Sequence, residues 1–135
     1  MAIAKKRILI VDDEDRIREV VRTCLVKFAK WEALTAASGL EALQIAAIEQ
    51  PDAILLDVSM PGMNGVETFQ QLQANSQTQA IPVIFLTAKV QPAEQAEYKH
   101  LGAVGLIIKP FDPVQIAKEI SQLLGWSSPI NPYQS

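Results

Sequence analysis

Five residues with ionisable or hydroxyl side chains each follow a short apolar run in this sequence. Asp12 and Asp13 come after the first run, Asp57 after the second, Thr87 after the third and Lys109 after the fourth. If these runs are neighbouring parallel strands, their carboxyl ends lie along one edge of the sheet, where open α/β folds place their ligand sites. The sequence therefore predicts that the five residues form one pocket.

The predicted pocket holds more negative than positive charge. Three carboxylates held within a few ångströms repel one another, and a divalent cation relieves that repulsion. An all-oxygen ligand set suits Mg²⁺, which uses one or two protein carboxylates and takes further oxygens from a phosphate-bearing substrate. Lys109 adds a fixed positive charge and Thr87 a hydroxyl donor, and both suit phosphoryl transfer. Asp57 is the best candidate for a nucleophile that accepts the phosphoryl group as an acyl phosphate.

Strand-like and helix-like patterns alternate along the chain. One apolar stripe at helical spacing follows the first strand, and a helix over 92–101 has only a thin apolar stripe. Asp112 followed by Pro113 predicts the start of the last helix, which Gly125 ends. This alternation indicates βαβ units and an α/β fold, for which we expect a flavodoxin-like (βα)5 doubly wound parallel sheet in strand order 2-1-3-4-5. The predicted strands are 7–11, 53–56, 83–86 and 104–108, with a weaker candidate at 31–35, and the stripe of the first helix is Ile17, Val20, Val21, Cys24, Leu25 and Phe28.

Four sequence strings, in order and at compatible spacing, resemble the receiver domain of two-component response regulators. They are 8–14, ending in Asp12, Asp13 and Glu14, then 54–65 around Asp57, 83–88 and 107–111. The similarity runs from about residue 6 to residue 124 and is closest to the chemotaxis-type, single-domain members. The resemblance implies that the partner is a sensor histidine kinase or a histidine phosphotransfer protein, whose phosphohistidine supplies the phosphoryl group to Asp57.

The resemblance also implies roles for the residues around Asp57. Mg²⁺ would be held by Asp13, Asp57 and the main-chain carbonyl of Ser59, with Asp12 acting nearby or through water. The phosphoryl oxygens would be contacted by Thr87, Ala88 and Lys109, and the Lys109–Pro110 peptide would be cis, an isomer that requires a proline at this position.

Three further positions are expected to tune the response. Ser59 is small and should leave water some access to the acyl phosphate, whereas Lys89 is long and should partly cover it, so we expect an intermediate lifetime. Receivers usually carry Tyr or Phe three residues before the active-site lysine, but this sequence has Leu106 there. The usual aromatic readout is therefore in question. The thinly anchored helix 92–101 is the expected switch face, because a marginally packed helix opens at low cost.

Composition limits the remaining classes of protein. The 135 residues suit one domain, expected to be a receiver at 1–125 with a short tail at 126–135 and no effector domain. A net charge of −3 gives no electrostatic reason to expect nucleic-acid binding. We expect no signal peptide, no membrane span and a cytoplasmic protein, monomeric or weakly dimeric, in which the single Cys24 makes no internal disulfide.

Competing functions are open to different objections. A phosphate sink or relay intermediate without its own output fits the same residues. A phosphatase of the haloacid dehalogenase type needs a second Asp two residues after the nucleophile, where this sequence has Ser59. In a flavodoxin-like electron carrier, the acidic residues 12–15 would repel the cofactor phosphate. A purely structural pseudo-receiver does not need the complete set of acidic, threonine and lysine residues.

Overall fold

A five-stranded parallel sheet forms the centre of the protein. The computed structural model describes residues 5–88 and 91–126. The strands lie in the order β2-β1-β3-β4-β5, which confirms the predicted flavodoxin-like topology. Their bounds are β1 Arg7–Val11, β2 Glu32–Ala36, β3 Ala53–Asp57, β4 Val83–Thr87 and β5 Gly105–Ile108.

Five α-helices cover the two faces of this sheet. Helices α1 and α5 pack on one face, and α2, α3 and α4 pack on the other. A single 3₁₀ turn, Pro113–Gln115, precedes the last helix. The helix bounds are α1 Asp15–Ala29, α2 Gly39–Glu49, α3 Gly65–Ala74, α4 Pro92–Leu101 and α5 Ile116–Leu124.

The central strands are buried on both faces, and this explains their continuous apolar sequence. Every residue of β3 and β4 is buried. Along β4, Val83 and Phe85 face the α2–α4 layer, whereas Ile84 and Leu86 face α1 and α5. Strand β2 is half-exposed because it lies at the edge of the sheet, as its weaker pattern predicted.

Side-chain caps fix where two of the helices begin. Asn64 accepts a hydrogen bond from the Glu67 N–H at 2.9 Å, and the Glu67 carboxylate accepts one from the Asn64 N–H at 3.0 Å, which is a complete capping box. Ser38 Oγ accepts from the Glu41 N–H at 3.1 Å and caps α2. These caps set the direction in which α2 and α3 leave the sheet.

Two details of the helices differ from the prediction. Asp112 caps the 3₁₀ turn, through the Val114 N–H at 3.0 Å, so that α5 begins only at Ile116. Phe28 is 51% exposed although it was assigned to the apolar stripe of α1. The buried stripe advances by four residues at each turn, through Val21 and Leu25 to Ala29, and this advance leaves Phe28 beside the stripe.

Trp126 packs against the end of the sheet opposite the carboxyl ends of its strands. Its ring meets Trp31 edge-on, with centroids 5.5 Å apart and an interplanar angle of 86°, and Lys6 Nζ lies 4.6 Å from the Trp126 ring centroid. The rest of the predicted tail, 127–135, lies outside the described residues. Over the part of the chain that is described, no helix is both long enough and apolar enough to cross a membrane.

Candidate functional site

Strand register places the polar residues at one edge of the sheet. Val11 pairs with Leu56 and Asp57 with Leu86, so Asp12, Asp57 and the following Thr87 all lie where their strands end. Thr87 in turn pairs with Ile108, directly before Lys109. The convergence inferred from the sequence is therefore a consequence of parallel strands in this order.

Three carboxylates form the acidic part of the site. One oxygen from each of Asp12, Asp13 and Asp57 lies within 4.8 Å of the others. Asp12 and Asp57 are buried, with 0% and 2% of their surface exposed, whereas Asp13 is exposed. Two buried negative charges at this spacing require positive charge close by.

Lys109 supplies part of that positive charge. Its Nζ donates to Asp57 Oδ1 at 3.1 Å and to Asp12 Oδ2 at 3.2 Å. The main chain holds the lysine in place, because the Lys109 N–H donates to the Thr87 carbonyl at 2.8 Å. The Lys109–Pro110 peptide is cis. One ammonium group thus bridges two carboxylates from different strands.

This arrangement shifts the pKa values of both partners. The pKa of Asp57 is raised to about 6, mainly by burial and then by the charge of the neighbouring Asp12, against the opposing effect of Lys109. For Lys109, burial by itself lowers the pKa, but the hydrogen bond and charge of Asp57 and the charge of Asp12 outweigh it, so its pKa is raised. The lysine therefore stays charged. Of the two partners, Asp57 is the one that loses its charge more easily, by taking up a proton.

The chemistry of the donor set fits Mg²⁺. With all groups ionised, three carboxylates against one ammonium leave two negative charges, and every ligand atom offered is an oxygen. Receiver domains typically bind this ion, so Asp12, Asp13 and Asp57 are suited to hold it here.

The loop after β3 is shaped by close main-chain contacts. The Ser59 N–H donates to Asp57 Oδ1 at 3.3 Å, and the Gly65 N–H donates to the Val58 carbonyl at 2.9 Å. A Cβ on Gly65 would lie 2.3 Å from the Asp57 carbonyl oxygen, so only glycine lets α3 start this close to Asp57.

Arg18 is a residue of the site that the sequence reasoning missed. Its Nη1 donates to the main-chain carbonyl of Asp12 at 2.7 Å, and its other terminal nitrogen is paired with Asp15. Arg18 therefore ties α1 to the acidic corner. No sequence signal separates it from the other arginines of that helix.

Comparison with known proteins now identifies the family. The profile of the response regulator receiver domain matches residues 8–121. The chain belongs to this family. The expectation drawn from the four strings is confirmed, and with it the assignment to two-component systems.

Relatives of this receiver include stand-alone and longer proteins. Protein PilH of Pseudomonas aeruginosa is 36% identical over 118 residues, which are 87% of this chain and 97% of PilH. The probable transcriptional regulator ycf27 of Cyanophora paradoxa is 41% identical over 124 residues, 92% of this chain but 50% of ycf27. This receiver thus spans about half the length of several regulators that it matches.

Solved structures agree with this assignment. The chemotaxis response regulator CheY4 of Vibrio cholerae superposes on this receiver with a TM-score of 0.83 at 36% sequence identity, covering 89% of this chain and 99% of CheY4. The shared topology places the carboxyl ends of the strands at the same edge of the sheet.

The residues expected to contact the phosphoryl group or to tune the response lie at different depths. Thr87 is buried at the end of β4, Ala88 and Ser59 are exposed, and Lys89 lies outside the described residues. Leu106 on β5 pairs with Phe85 and is half-buried against the α2–α4 layer. An aliphatic side chain therefore occupies the position where receivers usually carry an aromatic ring.

Proposed function

We propose that this receiver accepts a phosphoryl group on Asp57 from the phosphohistidine of a sensor histidine kinase or a histidine phosphotransfer protein. The observation that supports this function is the geometry at the acceptor. A buried carboxylate lies at a strand end, 3.1 Å from a lysine ammonium, with two further carboxylates close by. An aspartate that only formed a turn would need neither the lysine ammonium nor the two neighbouring carboxylates.

The transfer forms one bond and breaks one. An oxygen of the ionised Asp57 carboxylate attacks the phosphorus, and a P–O bond forms as the P–N bond to the donor imidazole breaks. The imidazole nitrogen keeps the electron pair and takes up a proton. Because Asp57 must be ionised to attack, the pKa of about 6 leaves most of it competent at neutral pH.

The remaining residues stabilise the transferred group. Lys109 can compensate the negative charge that moves onto Asp57, and Thr87 ends β4 beside it, with Ala88 directly after. Asp12, Asp13, Asp57 and the main-chain carbonyl of Ser59 would hold Mg²⁺, which neutralises charge on the phosphoryl oxygens. The acyl phosphate is then a state of the protein and not a passing intermediate, because Ser59 offers no general acid.

An apolar groove beside Lys109 suits the phosphodonor. It has a volume of about 430 Å³ and lies between α1 and the segment after β5. A helix that carries the donor histidine would cover these apolar side chains while its imidazole reaches Asp57. The groove is lined by Arg16, Ile17, Val20, Ala88, Lys109, Pro110, Phe111 and Pro113.

The phosphorylated state is proposed to act through protein–protein contact. The match to nearly the whole length of PilH supports an output that the receiver itself makes by contact. Ser59, exposed beside the acceptor, and Lys89 would set how long the acyl phosphate lasts. A role as a phosphate sink or relay is the second candidate, and Leu106 at the usual readout position favours it.

The deciding experiment is phosphorylation by acetyl phosphate, with and without Mg²⁺, followed by intact mass. We expect a Mg²⁺-dependent gain of one phosphoryl group in the parent and none in Asp57→Asn. Asp52→Asn is the matched control, because it makes the same change just before the opposite end of β3. A gain that survives in Asp57→Asn, or no gain in the parent, would refute Asp57 as the acceptor.

A further inference from the structure

Two side chains attach helix α4 to the core: Tyr98, which is buried, and Leu101, which is partly buried against the same cluster. Among its residues, all of which the structure describes, only Tyr98 is buried, with 5% of its surface exposed. The rest of the helix is mostly Gln, Glu, Lys and Ala at exposed or half-exposed positions. A change in the position of the Tyr98 ring therefore changes how the whole helix is held on the core.

Tyr98 rests on the strand that carries Thr87. Its ring lies 5.3 Å from the Phe85 ring, centroid to centroid, at an angle of 57°. Thr87 follows Phe85 by two residues, so both side chains leave β4 on the face that α4 covers. A displacement of the Thr87 end of β4 is therefore passed directly to the surface on which Tyr98 sits.

Tyr98 also borders open space beside the acceptor loop. A cleft of about 560 Å³ separates α4 from the loop that follows Asp57, and Tyr98 lines it together with Ser59, Met60 and Glu97. This volume is several times that of a phenol ring. The cleft therefore has room for a second position of the ring on the side of Ser59.

Leu106 cannot provide the same connection. It pairs with Phe85 in the sheet and is half-buried in the same layer, but it is aliphatic and lies on β5, not on the helix. Of the aromatic rings described in this layer, Phe69 is fixed in α3 and Phe85 in β4, both buried to 2% exposure or less. Tyr98 is the ring that joins the sheet to α4.

We propose that Tyr98 is the positioning residue that couples the phosphorylation state of Asp57 to α4, by changing its seat between Phe85 and the cleft beside Ser59. The proposal rests on the proposed function, because it requires Asp57 to be phosphorylated. It assigns to Tyr98 on the helix the aromatic role that the sequence comparison leaves vacant at Leu106.

Amide exchange of α4 in matched variants tests the coupling. The parent, Tyr98→Leu, Tyr98→Phe and Phe69→Leu are each phosphorylated with acetyl phosphate and Mg²⁺, and intact mass reports the phosphorylated fraction. We expect exchange over residues 92–101 to change by about threefold or more on phosphorylation in the parent. Tyr98→Leu should be phosphorylated to the same extent but show no change, Tyr98→Phe should restore the change, and Phe69→Leu should retain it.

A label on the ring itself keeps the test independent of any destabilised variant. The chain has two tyrosines, Tyr98 and Tyr133, so fluorotyrosine incorporated into Tyr133→Phe reports Tyr98 alone. We expect its fluorine resonance to move on phosphorylation and to stay still in Asp57→Asn. An unmoved resonance, a response retained in Tyr98→Leu, or an equal loss in Phe69→Leu would overturn the coupling while the mass gain still upheld the acceptor. Absence of the mass gain in the parent would overturn both.

Discussion

At the scale of single residues, the buried charge that the proposed chemistry requires also destabilises the folded protein. Asp57 is buried beside the buried Asp12, and these two causes raise its pKa from 3.8 to about 6, although the lysine that both carboxylates share opposes the rise. At neutral pH the folded protein therefore holds a charge that it would hold more easily unfolded. The proposed roles of Asp57 as nucleophile and metal ligand both depend on the same charge.

Asp57→Asn should stabilise the metal-free protein at pH 7.5 by about 2 kcal/mol. The amide removes the repelling charge, and Lys109 keeps Asp12 as a partner at 3.2 Å. A carboxyl group whose pKa is raised in the folded protein contributes stability below its unfolded pKa. This contribution is lost as the pH rises through the folded pKa. The parent should therefore lose this free energy between about pH 4 and pH 7, and the variant should not.

Urea unfolding in chelator at several pH values measures this difference. Asp52→Asn serves as the control, since Asp52 accepts a hydrogen bond from the Arg7 N–H at 2.8 Å and its change should not stabilise. Saturating Mg²⁺ should reduce the difference in the free energy of unfolding between the parent and Asp57→Asn. An Asp57→Asn protein less stable than the parent without metal would contradict the electrostatic account.

Mg²⁺ affinity should depend on pH through the same group. Binding requires the ionised Asp57, so affinity should be nearly constant above pH 7 and about tenfold lower at pH 5 than at its plateau. Titration calorimetry at the two pH values measures the ratio. Asp57→Asn should bind more weakly and lose most of the pH dependence, and equal parental affinity at both values would be inconsistent with Asp57 as a ligand.

At the scale of elements, the acceptor depends on how closely α3 approaches β3. Gly65 starts α3 against the Asp57 main chain, where a Cβ would lie 2.7 Å from the Val58 Cα as well as 2.3 Å from the Asp57 oxygen. The capping box at Asn64 and Glu67 fixes the same turn from the other side. These contacts hold the main chain of Asp57 and Val58, and with it the Asp57 carboxylate, against the start of α3.

Gly65→Ala should slow phosphorylation of Asp57 by about tenfold or more and cost about 1 to 3 kcal/mol of stability, because backbone must move to admit the methyl group. The rate comes from intact mass over time with acetyl phosphate. Gly39→Ala is a matched control, since its Cβ would clash with Thr68 Oγ1 at 2.2 Å between α2 and α3. It should lower stability without a comparable change in rate, and equal rate losses would assign the Gly65 effect to general destabilisation.

At the scale of the whole molecule, chemistry and stabilising contacts occupy opposite ends of the sheet. The carboxylates and Lys109 lie at the carboxyl ends of the strands, whereas Trp126 closes the other end against Trp31. This separation lets the polar edge carry unfavourable charge while the rest of the fold supplies the stability. It also predicts that changes at one end leave the other largely intact.

Trp126→Ala should lower the free energy of unfolding by about 1 to 3 kcal/mol, through loss of the edge-on ring pair and of the Lys6 contact. Phosphorylation of Asp57 should proceed at the parental rate. Chemical denaturation and the mass assay measure the two quantities, with Trp126→Phe as the variant that keeps a ring. If Trp126→Ala were as stable as the parent, the tryptophan pair would not hold the end of α5.

Much of this protein was determined by its sequence alone. Strand order, the extent of α4 and the gathering of Asp12, Asp13, Asp57 and Lys109 followed from local apolar patterns and from the rule that parallel strands end at one edge. Such features depend on which residues must be buried, and periodicity records that directly. The exposed Phe28 shows the limit, because a stripe that advances along a helix leaves its border residues ambiguous.

Only the tertiary structure decided how the gathered groups act on one another. Lys109 reaches two carboxylates that are 52 and 97 residues away in the chain, and the raised pKa of Asp57 results from their distances and burial. The contact of Gly65 with Asp57 and the seat of Tyr98 on Phe85 likewise join separate elements. Electrostatics and packing fall off over a few ångströms, so they depend on final positions that no local pattern specifies.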